Sequence, residues 1–99
     1  MQTLTKNMIM QTIHRHSDDI KAYGVRRMGI FGSFVKSVQG NKSDIDILVE
    51  FSRGDKTFDN YMDLKFYLEK LFGRKVDLVI KDVLKARIKS RVLSEVEYA

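Results

Sequence analysis

Asp44 and Asp46 stand two residues apart in the β-branched run DIDILVEF, and this alternation constrains the fold more than any other feature of the chain. In an extended strand, residues i and i+2 leave on the same side, so the two carboxylates share a face with Cα atoms roughly 6.5 to 7 Å apart. Ile45, Ile47, Val49 and Phe51 leave on the other side. One face of this strand is therefore core, and the other begins with two negative charges. Ahead of it, separated by the ten residues from Phe34 to Ser43, a Gly32-Ser33 pair closes the apolar run GIF.

The rest of the chain supplies a frame for that strand. Leu4, Met8, Ile9, Thr12 and Ile13 recur at helical spacing over residues 4–16. Ser17-Asp18-Asp19 caps and charges the start of a short helix over 18–23, and Gly24 stops it. Residues 25–31 read as the first strand, with Met28 and Ile30 on one face. One or two helical turns fit residues 33–38, and Gln39-Gly40-Asn41-Lys42-Ser43 is a run of turn formers before the second strand at 44–51. From Phe58 to Phe72 a wide apolar sector predicts a helix packed deeply on the sheet. A third strand over 75–80 turns Val76, Leu78 and Ile80 inward and Asp77 outward. Leu84, Ile88, Val92 and Val96 at i+4 steps predict a last helix over 83–96. This order is that of an α/β (α+β) domain, a small mixed sheet flanked by helices, which the pattern places on one side of it. Residues 1–99 are read as a single domain, because the length holds one core and no second domain of ordinary size.

Composition narrows the chemistry. Without cysteine there is no disulfide, thiolate metal site or thiol nucleophile. The two histidines, His14 and His16, fall in a helical stretch and read as surface residues rather than ligands. The formal net charge of +5 is spread along the chain, with neither a block of like charges nor an aromatic and basic platform, which argues against a polynucleotide partner. No run is long and apolar enough to span a bilayer, and the start lacks a signal-peptide core, so a cytoplasmic location is expected. Lys81, Lys85, Arg87, Lys89 and Arg91 form a basic stretch before the C-terminus, read first as a solvated helix side and second as a surface for phosphates or an acidic partner.

If Asp77 lies on the strand next to Asp44 and Asp46, three carboxylates converge. Each like-charge pair at 6 Å costs about 3 kcal/mol at an effective dielectric near 20, so the group needs a cation or must protonate. Oxygen-only donors select a hard ion such as Mg2+, and a pair of such ions activates a hydroxyl and neutralises a leaving pyrophosphate. Gly32-Ser33, at the end of a strand and the start of a helix, offers backbone N–H groups and a hydroxyl to an anion. A lone D-x-D or Gly-Ser is usually structural. Their order and spacing, with Asp77 in the next strand, is what points to chemistry, and no P-loop pattern competes with it.

This set resembles the minimal nucleotidyltransferases of the DNA polymerase β superfamily, which carry G-S, ten residues, D-x-D and a later third acid. The likeness runs on through VRRMGIFGS before the motif and GRKVDLVIKDVLKARIKSRVL after it. It implies catalytic and metal-binding roles for Asp44, Asp46 and Asp77, nucleotide binding at Gly32 and Ser33, and Mg2+-dependent transfer of AMP from ATP to a hydroxyl. It further implies an antitoxin whose partner is a HEPN-domain toxin and whose acceptor is a tyrosine of that partner. The chain departs from the family at Lys36-Ser37, where Arg-Gly is usual. A module that neutralises its partner by contact alone, and a transferase acting on nucleic acid, are the other readings.

Overall fold

Thr5 begins the first helix by accepting a hydrogen bond from Met8 N–H at 3.3 Å, which satisfies a donor that the helix itself cannot. The computed structural model describes residues 4–36 and 44–99, so Ser37 and the expected turn at Gln39–Ser43 lie outside the described residues. Helix α1 (Lys6–Arg15) buries Ile9 and Ile13, and α2 (Ser17–Lys21) buries Ile20. Strand β1 (Val25–Phe31) follows, then the single turn α3 (Ser33–Lys36) and strand β2 (Ile45–Phe51). Helix α4 (Phe58–Phe72) is capped by Thr57, leads to strand β3 (Val76–Ile80), and is tied to that edge strand where the Tyr61 hydroxyl donates to the Leu78 carbonyl at 2.7 Å. Helix α5 (Ala86–Glu95) and the short strand β4 (Glu97–Tyr98) end the chain.

The four strands lie in the order β3-β2-β1-β4. Strand β1 pairs antiparallel with β2 and β4, whereas β2 and β3 run parallel, as a β-strand, helix, β-strand crossover requires. Ile45, Ile47 and Val49 are completely buried against Ile9, Ile13, Leu64 and Leu68, so the alternation in the sequence marks the core face correctly. The mixed, helix-flanked sheet is the architecture the pattern implied.

Four details differ from the sequence reading. Helices cover both faces of the sheet, since α5 lies on the Asp46 side and shares a cleft with it. Helix α5 also starts later than expected, because Lys81–Val83 wind into a 3₁₀ turn and Leu84 and Lys85 are extended. Third, Glu97 and Tyr98 form a strand with no local pattern to announce it. That strand exists because Gly29 has no side chain: a Cβ there would stand 2.7 Å from the Glu97 carbonyl oxygen. The approach is reinforced by Lys6 Nζ on the Glu97 carboxylate at 3.0 Å and by the Arg27 guanidinium over the Tyr98 ring. Helix α4 is less immersed than its composition suggests. Leu64 and Leu68 are buried, but Phe66, two residues from Leu64 and so about 200° around the helix, points to solvent.

Candidate active site

The row across the sheet at the start of β2 assembles the site. Phe31 of β1 is opposite Asp46, and Asp46 is beside Asp77 of β3. Parallel pairing with no offset thus places two carboxylates on neighbouring strands and on one face, at the roughly 4.8 Å spacing of a sheet. Their side chains share a hydrogen bond. Burial first, then the charges of Asp77 and Asp44, push the Asp46 carboxyl up from 3.8 to about 6. The Ser33 N–H donates to Asp46 and partly offsets this. Asp44 precedes the first ladder residue and is exposed, so its charge acts on Asp46 without joining the hydrogen-bonded pair. Among the described residues, no three acidic or imidazole side chains are gathered into a ready-made metal site.

Gly32 makes the pairing possible. It has φ +76°, where an L side chain is strained, and a Cβ on it would run into the Asp46 carboxylate, 2.9 Å from the carboxyl carbon. The glycine therefore turns the chain out of β1 and at the same time leaves room for Asp46. The sequence offers the Gly32 and Ser33 N–H groups to an anion. In the structure both are engaged by carboxylates of the chain, Ser33 N–H by Asp46 and Gly32 N–H by Glu95.

An open cleft of about 470 Å³ lies over this row. Gly32, Ser33 and Asp46 line one wall, and Arg91, Val92 and Glu95 of α5 the other. Lys36 also lines the cleft and forms an ion pair with Glu95 at 2.9 Å. Of the basic stretch noted in the sequence, Arg91 reaches the cleft and Lys81 lies 3.5 Å from Glu50, whereas Lys85 and Arg87 are exposed. Ile88, half exposed, adds an apolar surface beside Val92. Lys36 and Glu95 were not singled out as site residues by the sequence reading. The four-residue spacing of Arg91 and Glu95 was a visible signal of a helix-surface pair, but nothing local brings Lys36 to them.

A cleft lined by two cations, a hydroxyl and the Asp46 carboxylate, with Asp77 beside Asp46 on the next strand, suits a phosphate ester and a bound divalent ion. The nucleotidyltransferase domain family model matches residues 13–99. The chain is similar to the protein adenylyltransferase MntA of Thermococcus cleftensis, 39% identical over 99 residues that make up 99% of each chain. It superposes on a solved structure assigned as a minimal nucleotidyltransferase with a TM-score of 0.83 and 28% identity, covering 98% of both chains. It also shares its fold with a chain in the complex of a tri-AMPylated Shewanella oneidensis HEPN toxin with its MNT antitoxin, at a TM-score of 0.68 and 18% identity over 95% of this chain and 71% of that one.

Proposed function

Because this chain belongs to the nucleotidyltransferase domain family, we propose that it is a protein adenylyltransferase that moves AMP from ATP to a hydroxyl, that of a tyrosine on a cognate HEPN-domain toxin, and so serves as the antitoxin of a pair. The observation that carries this reading is the Asp46 and Asp77 pair, side by side in register, with Asp46 in the lining of the cleft of about 470 Å³ that opens next to Gly32-Ser33. The names of the relatives support the choice of AMP as the group transferred and of a toxin as the partner.

The donor set fits a hard divalent ion. Burial and then the charges of Asp77 and Asp44 push Asp46 toward protonation, and a cation held by Asp46 and Asp77, with Asp44 free to swing in, would offset both. When bound, Mg2+ would neutralise phosphate charge and ease ionisation of the acceptor hydroxyl. The chain's own groups do the remainder. The Ser33 hydroxyl donates to a phosphate oxygen, Lys36 and Arg91 balance the charge of the departing pyrophosphate, and Ile88 and Val92 offer apolar surface to the nucleoside. Asp77, exposed at the mouth, faces the side from which an acceptor arrives. In the reaction the acceptor oxygen bonds to the α-phosphorus, the bond from that phosphorus to the oxygen bridging to the β-phosphate breaks, pyrophosphate leaves, and the hydroxyl proton passes to solvent.

The test is incubation of the chain with α-labelled ATP, Mg2+ and a HEPN toxin encoded beside it. Label is expected on the toxin, on a tyrosine by mass spectrometry, and absent with Asp46→Asn. Neutralisation of the toxin without any transfer of label would replace this reading with that of a binding module.

A further inference from the structure

The cleft over Asp46 already holds an anion, and the chain itself supplies it. Glu95, the last residue of α5, places Oε1 2.9 Å from Lys36 Nζ and 3.8 Å from Arg91 Nε, and its carboxylate accepts from the Gly32 N–H. A backbone donor and two cations thus converge on one carboxylate. The cations remain well exposed, Lys36 at 47% and Arg91 at 77% of their side chains, while Glu95 is drawn in to 20%.

The helix dipole does not explain an acid at this position. The C-terminal end of a helix is the negative end of its dipole and favours cations, yet the last turn of α5 has none and ends on Glu95. Asp46, another carboxylate, lines the same cleft. What holds Glu95 here is Lys36 and the Gly32 N–H across the cleft together with Arg91 one turn back on its own helix, and these donors bring its carboxyl below the usual range, chiefly through Lys36. Those donors are complementary to a phosphate group, which offers more charge and more acceptor oxygens than a carboxylate.

Building on the nucleotidyltransferase reading, we propose that Glu95 occupies the seat of a nucleotide phosphate and must withdraw for the triphosphate to enter, so that this residue sets the affinity for nucleotide. Its place at the end of a surface helix makes the exchange a side-chain rotation toward solvent, with no rearrangement of the sheet. Lys36, Arg91 and the Gly32 N–H then change partners from carboxylate to phosphate and stay paired throughout. The opposite role is that Glu95 merely positions Lys36 for the nucleotide. The two roles differ in sign, because loss of a competitor tightens binding and loss of a positioning group weakens it.

Calorimetric titration of the full chain with ATP and with inorganic tripolyphosphate, both with Mg2+, separates these cases. Glu95→Gln is expected to bind each ligand roughly tenfold more tightly than wild type, as release of a charged hydrogen bond and an exposed ion pair would give. Glu95→Asp, whose carboxylate is one methylene shorter, is expected to fall between them, and it provides a second reading should the glutamine variant fold poorly. Equal or weaker binding by both variants overturns the proposal while leaving the transferase reading in place. Tightening with ATP but not with tripolyphosphate also overturns it, since Glu95 would then act on the nucleoside. Failure of wild type and variants alike to bind ATP would overturn the transferase reading as well.

Discussion

Replacing Asp46 by Asn should stabilise the metal-free protein while abolishing its proposed activity. Asn preserves the shape: its carbonyl accepts from Ser33 N–H as the carboxylate does, and its amide donates to Asp77. What it removes is a charge that the fold disfavours. The Asp46 carboxyl stands at about 6 in the folded protein against 3.8 ordinarily, chiefly from burial and then from Asp77 and Asp44. A displacement of about two pH units corresponds to about 3 kcal/mol at ~1.36 kcal/mol per unit. Because the site opens to solvent, screening reduces that to about 1 to 2 kcal/mol. The sign follows from proton counting. Between pH 4 and 6 the folded state holds this proton and the unfolded state has lost it, so wild-type stability falls as pH rises through that window and stays low above it. The Asn variant has no such loss. At pH 7.5 in EDTA it should melt about 4 to 8 °C or more above wild type, given the size of the domain. At pH 4, where Asp46 is neutral in the native wild type, most of the gap should close. Added Mg2+ should raise the wild-type midpoint and leave that of the variant nearly unchanged. Thermal unfolding followed by circular dichroism measures all three. A variant no more stable than wild type at pH 7.5, or a gap as large at pH 4, would refute the account of Asp46 as a charge held against its preference.

Two further substitutions probe the turn beside it. Ser33→Ala should weaken ATP binding about ten- to a hundredfold, the worth of a hydrogen bond to a charged group, with no change in melting temperature, as calorimetry and thermal unfolding would show. Gly32→Ala should do the reverse of a neutral change: the residue has φ +76° and its new methyl would collide with Asp46, so the domain should lose about 1 to 3 kcal/mol in urea unfolding and the proposed transfer of AMP together.

The alternation of Asp44, Ile45, Asp46 and Ile47 determined by itself which side of β2 is core and which carries chemistry, because the direction of a side chain along a strand depends only on its position in the local repeat. The helix starts at Thr5 and Thr57 obey equally local rules of capping. The Gly-Ser pair and the later aspartate were legible for the same reason, as residues placed at the ends of recognisable elements. What tertiary structure decided was everything that joins one element to another. The register that sets Asp77 beside Asp46 rather than beside Asp44 comes from parallel pairing across a whole intervening helix. Strand β4 has two residues and forms only because β1 presents a free edge and a side-chain-free Gly29. The face of the sheet that α5 covers follows from where that edge lies, and with it the meeting of Glu95 with Lys36 and Gly32, residues some sixty positions away in sequence. Local periodicity is written in neighbours along the chain, whereas these contacts depend on how distant segments close on one another, and no repeat in the sequence records that closure.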